Sequence, residues 1–171
     1  MSEEIFIVGG GASLRFFEWD QLLCRRVIAV NRAYEVVPNA EVVYFSDLRF
    51  WTWHQLQLEK HIGRKITSAA RVKNRCVEHV QITGLTGLDT EPGKIRQGNN
   101  SGYGAINLAV HLGVKKIFLL GFDMNFTGGC CHWHDGYPVI NTEKTLKRMV
   151  AYFDTTVEPL NRIGVEVVNL N

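Results

Sequence analysis

Five stretches of the chain carry side chains able to do chemistry: Gly9-Gly10-Gly11-Ala12-Ser13, Asn31-Arg32, Ser46-Asp47, Asn99-Asn100-Ser101-Gly102 and Gly121-Phe122-Asp123. Glycines allow close backbone approach, while amides, hydroxyls and carboxylates offer directional hydrogen bonds, which is what a nucleotide or a sugar requires of its site. The run into Gly102 also opens a helical pattern. The bare N–H groups and partial positive charge of a helix N-terminus suit an anion such as phosphate. A further loop, Gly128-Gly129-Cys130-Cys131-His132-Trp133-His134-Asp135-Gly136, concentrates reactive groups. Three readings of it stand side by side. His132 or His134, oriented by Asp135, suits general acid–base work, because imidazole titrates near neutral pH. Cys130, Cys131, His132 and His134 are zinc-ligand types, but crowded without the usual spaced pairs. The third is a surface loop whose Trp133 packs on the domain while its histidines are solvated.

Short apolar runs precede the polar stretches and position them. Ile5–Val8, Val27–Val30, Val42–Phe45 and Ile117–Leu120 read as buried strands. Weaker strands are expected near Lys65–Thr67, Val77–Ile82 and Val165–Val168. Ser13 is expected to cap a helix with Leu14, Phe17, Leu22 and Leu23 toward the core. Leu48–Glu59 reads as a helix, and so does the segment after Asn100, where Ala105, Ile106, Leu108, Ala109 and Leu112 recur until Gly113 stops the pattern. Thr142–Val157 is the last amphipathic helix. Residues 84–98 read as a long loop, of a length that is usually functional. Strands alternating with helices predict an α/β fold, a Rossmann-like three-layer sandwich with a mainly parallel sheet, in one domain spanning residues 1–171. The polar stretches then lie at the strand tips along the carboxyl edge, where such folds place their sites.

Composition excludes several classes. The 171 residues suffice for a real core, and a net charge of +2 with interleaved signs gives no basic stripe, so nucleic acid is disfavoured as a partner. No apolar run approaches the roughly 20 residues of a membrane span. The acidic opening residues lack a basic leader, and four cysteines make no disulfide scaffold, so a cytoplasmic protein with reduced thiols is expected. Cys24 and Cys76 read as ordinary buried or edge thiols. The first glycine loop lacks the dinucleotide fingerprint, since Leu14 takes the place of the third glycine and Asn31 the place of the acid, and no Walker sequence occurs. For Asp47 the expected role is capping backbone or pairing with Arg32 or Arg49. Trp51, Trp53 and His54 read as core or interface aromatics, and His61, His79 and His111 carry no signal.

Taken in order, Gly9-Gly10-Gly11-Ala12-Ser13-Leu14, Val30-Asn31-Arg32, Asn100-Ser101-Gly102 with its Ala-rich helix, and Leu120-Gly121-Phe122-Asp123 resemble the nucleotide-binding segments of Campylobacter-type bacterial sialyltransferases. They are similar as well to archaeal 6-hydroxymethylpterin diphosphokinases and to small phage and prophage Rossmann-like proteins, the last being nearest in length and in the His-Trp-His loop. The resemblance implies that Ser13, Asn31 and Ser101-Gly102, with Gly10, Gly11 and Asn100 around them, contact a nucleotide. It implies that His132 or His134 is the general base. Gly10 and Ser46 stand where the sialyltransferases have asparagine, and the basic residue ahead of the Ser-Gly turn falls at Arg96, two positions early.

The expectation from residues and resemblance together is a protein that binds a nucleotide or nucleotide sugar, with glycosyl transfer as the first activity and Asp123 orienting ribose or a metal. No cofactor is firmly implied beyond the donor itself. A diphosphokinase-type transferase holding Mg²⁺ on Asp47 and Asp123 is the enzyme alternative, and a non-catalytic phage accessory binding protein the alternative from another class. A second substrate would be walled by residues 84–98 and 127–138 or by a homo-oligomeric partner.

Overall fold

The computed structural model describes residues 3–126, 132–134 and 142–171. Seven strands form one wholly parallel sheet: β1 (Glu4–Val8), β2 (Val27–Val30), β3 (Val42–Phe45), β4 (Arg64–Thr67), β5 (Val77–His79), β8 (Lys116–Leu120) and β9 (Glu166–Asn169). Their order across the sheet is β5-β4-β3-β2-β1-β8-β9. The chain therefore winds outward from β1 in one direction, then crosses back to place β8 on the other side of β1, in register from Glu4 opposite Lys116 to Val8 opposite Leu120. The central strands are buried on both faces, so they read as continuous apolar runs rather than as alternation.

Side chains of alternate parity feed two cores. Ile5, Ile7, Ile28, Val30, Val42 and Tyr44 pack with α2 (Ser101–His111) and α3 (Glu143–Arg162) on one face. Val8, Val27, Ala29, Val43 and Phe45 pack with α1 (Leu48–Lys60) on the other. This is the three-layer α/β sandwich that the alternating pattern predicts. No described helix is long and apolar enough to cross a membrane.

Three elements differ from the sequence reading. No α-helix follows the first glycine loop; residues Ala12–Phe16 and Trp19–Leu22 form two short 3₁₀ turns, and Leu23 is exposed rather than core. The run over Val77–Ile82 divides at Val80, after which β6 (Gln81–Gly84) leaves the main sheet and pairs in parallel with β7 (Lys94–Arg96). Residues 84–98 are thus no structureless loop, because β7 lies within them. Fully buried Asn107 of α2 clips this segment: its Oδ1 accepts from the backbone N–H of Asp89 and of Arg96, each at 2.9 Å, and its Nδ2 donates to Asp89 O at 2.8 Å. Finally, α3 continues past Val157 through Pro159 to Arg162, burying Leu160.

Candidate functional site

A cleft of about 210 Å³ opens at the carboxyl edge, beside the loops that follow β1 and β8. That is the point at which strand order reverses, the usual ligand crevice of open α/β sheets. Of the residues singled out from the sequence, Gly10, Gly11, Asn31, Asn100, Ser101, Gly102, Asp123, His132 and His134 line it together. Ser13 does not.

The floor is a crossing of two chains. Gly9 N–H donates to Leu120 O and Gly11 N–H to Gly121 O, both at 2.8 Å. Ser13 donates its backbone N–H to one Asp123 carboxylate oxygen at 2.8 Å and its hydroxyl to the other at 2.6 Å. A Cβ on Gly9 or Gly11 would stand 2.7 Å from Gly121 O, and one on Gly11 would also strike the Asp123 carboxylate. The glycines are therefore required by the β1–β8 crossing itself. Ser13, read as a helix cap and nucleotide contact, is a strut instead: its two donors are spent on Asp123, and the 3₁₀ turn around it offers no side-chain-capped helix N-terminus.

Around this floor the backbone is strained. Asn31 (φ 53°), Asn99 (φ 52°) and Met124 (φ 50°) are the only non-glycine residues with left-handed φ among the described residues, and all three line the cleft. Each such conformation costs on the order of 1 kcal/mol, more for methionine than for asparagine, and strain of this kind gathers at ligand sites. At Asn31 it turns the chain out of β2 directly into a 3₁₀ turn over Asn31–Glu35.

On the facing wall, Asn100 caps α2 by accepting from Gly102 N–H at 2.6 Å and Tyr103 N–H at 3.3 Å. The Ser101 and Ser46 hydroxyls share one hydrogen bond at 2.6 Å. Because each hydroxyl owns a proton and two lone pairs, the pair keeps a donor and acceptors to offer a ligand. Gly102 is fixed by Phe122, whose ring would lie 2.5 Å from a Cβ there.

His132, Trp133 and His134 close the cleft over Gly10. Trp133 N–H donates to Gly10 O at 3.0 Å, its indole N–H reaches Gly9 O at 3.4 Å, and its ring lies 5.9 Å from that of Trp19. The imidazoles of His132 and His134 stack within 4° of parallel, 5.3 Å apart. His132 Nδ1 lies 3.2 Å from Gly10 O, which can only accept, so Nδ1 carries the proton and Nε2 is the basic nitrogen. Burial holds this imidazole below the usual histidine value, outweighing the Gly10 hydrogen bond and the Asp123 charge that favour its cation. His134 differs: Arg32 Nη1, which can only donate, approaches its Nδ1 at 3.4 Å, so a neutral His134 carries its proton on Nε2. Asp135, Cys130 and Cys131, the proposed orienter and thiol ligands, lie outside the described residues. Among the described residues no group of three or more His, Cys, Asp or Glu could hold a metal ion.

Other residues have duties elsewhere. Asp47 caps α1 through Arg49 N–H and pairs with the Arg49 guanidinium, which holds its carboxyl below the usual range; it does not line the cleft. Arg96 turns to Thr83 O and Asp89. Trp51 is buried while Trp53 is half exposed, and His54 stacks on Phe50. Cys24 and Cys76 are exposed. None of residues 84–98 lines the cleft. From the sequence Arg32 is expected only as a candidate partner of Asp47; the fold instead delivers its guanidinium to the cleft. The signal was present in Glu35, an acid three positions on. No family model, curated protein or solved structure matches this chain.

Proposed function

We propose that this cleft binds a nucleotide or nucleotide sugar and transfers the attached group to an acceptor hydroxyl, a glycosyltransferase-like reaction. The observation that carries the reading is the meeting of Asn31, Asn99 and Met124, each in a costly left-handed conformation, at the switch point of a parallel sheet. A volume of about 210 Å³ falls below the ~300–1,000 Å³ of pockets that enclose drug-sized ligands, so the cleft takes part of such a ligand and leaves the rest outside. Asn31, Ser101 and Gly102 hold the nucleotide, and Asp123 keeps the glycine loop in place through Ser13. In the transfer, His132 or His134 takes the proton of the acceptor hydroxyl as its oxygen bonds to the anomeric carbon. The bond from that carbon to the phosphate oxygen breaks, and the nucleotide leaves with the electron pair.

One observation favours a second reading. His132 Nε2 is buried, which suits a site that binds its nucleotide without turning it over. A Mg²⁺-diphosphokinase reading is less well served, because Asp47 is occupied by Arg49 and stands away from the cleft. A thermal-shift panel of cytidine, uridine, guanosine and adenosine nucleotides and nucleotide sugars, with and without Mg²⁺, tests all three, since a ligand that binds the native state alone raises the melting point. A metal-independent rise from one nucleotide sugar, lost in Asn31→Ala, supports the transferase if product forms and the binding protein if none does. A rise confined to nucleoside triphosphate with Mg²⁺ would move the assignment to the diphosphokinase, and no rise at all would remove the nucleotide site.

A further inference from the structure

Arg32 enters the cleft on a splint. Its Nε and Nη2 donate to the two carboxylate oxygens of Glu35, at 3.0 and 2.9 Å, and the two side chains are 24% and 29% exposed. Behind Glu35, His54 Nδ1 lies 3.6 Å from its Oε1, too far for a hydrogen bond, and bonds the Tyr34 hydroxyl at 2.9 Å. The left-handed Asn31 immediately before fixes where the Arg32 side chain departs from the backbone. A long, flexible side chain is thus held in one orientation before any ligand arrives, so little rotamer entropy remains to be lost on binding.

Glu35 engages only the Nε–Nη2 edge of a guanidinium that has five N–H donors. The Nη1 side points at His134, whose Nδ1 stands 3.4 Å away, at the long end for a hydrogen bond. An anionic oxygen makes a shorter and roughly twice stronger bond to the same donors. Asp123, the other Asp, Glu, Lys or Arg among the described lining residues, has both its oxygens turned onto Ser13.

We propose that Arg32, splinted by Glu35, is the oxyanion receptor of the cleft and takes a phosphate or diphosphate group through its Nη1 side. The assignment of that phosphate to a nucleotide rests on the function proposed above; the receptor itself does not.

Calorimetric titration of the full chain separates the two. The probes are inorganic pyrophosphate, the free nucleosides, and the nucleotide that raises the melting point most, each against wild type, Arg32→Gln and Arg32→Lys. Expected is pyrophosphate and nucleotide binding weakened about 10- to 100-fold in Arg32→Gln, a smaller loss in Arg32→Lys, which keeps the charge but not the fork, and unchanged nucleoside binding. Should Arg32→Gln fail to fold, Arg32→Lys and the shift of the Arg32 Nε–H resonance on adding pyrophosphate to wild type carry the test. Nucleotide bound equally well by wild type and both variants would overturn the receptor and leave the nucleotide site standing. Pyrophosphate bound in an Arg32-dependent way, with no nucleotide bound, would keep the receptor and remove the nucleotide reading. Binding of neither would overturn both.

Discussion

Ser13 gives both of its donors to Asp123, 110 positions further along the chain, closing the loop after β1 onto the loop after β8. Both bonds are solvent-exposed, so each contributes about 1 kcal/mol, below the range of shielded charge-assisted hydrogen bonds. Asp123→Ala is therefore expected to lower stability by about 2 kcal/mol in urea unfolding. Ser13→Ala, which removes only the hydroxyl, should cost about half as much, and the double mutant should cost little more than Asp123→Ala alone. Additive losses would show that the pair is not coupled.

Gly104 offers a test in which helix propensity and packing disagree. Alanine is the better helix former by about 1 kcal/mol. A Cβ at Gly104, however, would lie 2.6 Å from the hydroxyl of fully buried Tyr44, whose single proton is shared between Ser68 Oγ at 3.1 Å and Gln97 Oε1 at 3.2 Å. Gly104→Ala should thus destabilise by about 1–3 kcal/mol. A stabilised variant would mean that α2 can move off β3.

Asn107→Leu keeps side-chain volume but strands the part-buried backbone N–H groups of Asp89 and Arg96. The expected loss is about 2–4 kcal/mol, with faster amide exchange and proteolysis confined to residues 84–98. Uniform exchange changes across the sheet would contradict the clip.

Burial holds His54, His61 and His132 below the usual histidine value of 6.5. In the pH range between their folded values and 6.5 the unfolded chain binds more protons than the folded one, so stability rises with pH there and is fully present above 6.5. The carboxyls held low by arginine partners, Glu41, Asp47 and Glu78, lose their contribution only at more acid pH, below about 4.5. Melting temperature should therefore fall in two stages on acidification. The first, beginning below about pH 6.5, should shrink in His132→Asn and His61→Gln. A flat profile from about pH 6.5 down to the carboxylate range would show that these imidazoles charge without penalty.

Trp133 hangs the two histidines over Gly10. Trp133→Phe keeps the ring against Trp19 and loses the indole donor to Gly9 O, whereas Trp133→Ala loses both. Ligand affinity, read by calorimetry, should be nearly retained in the first and drop several-fold in the second. Equal affinity in both would separate the histidine segment from the cleft.

Local pattern was enough wherever local pattern decides. The apolar runs at Ile5, Val27, Val42 and Ile117 became strands, and the cap at Asn100 and the stop at Gly113 (φ 71°) bounded α2. It failed where a distant partner takes over. Ser13 has the residue type and position of a cap, but its donors go to Asp123, and a 3₁₀ turn replaces the helix. The glycine, proline and threonine content of residues 84–98 hid β7, because what holds that strand is Asn107, which in sequence is one polar residue inside an apolar helix. The carboxyl-edge stretches could be named as a set from the sheet they imply, yet which of them face the cleft could not. Ser13, Asp47 and Arg96 turn away while Arg32 turns in, each decided by one partner: Asp123, Arg49, Asp89 and Glu35.

The pairing of β1 with β8 joins residues 112 apart, from Glu4 opposite Lys116 onward, and is the most sequence-distant strand pairing of the sheet. Every neighbouring pair from β1 out to β5 can zip along the chain without it. Closing so long a loop is slow, because its entropy is lost before its contacts form. A half-built chain with β1 to β5 already docked therefore has a sheet but no crevice, and a ligand added during refolding finds its site only once the two halves of the chain have met.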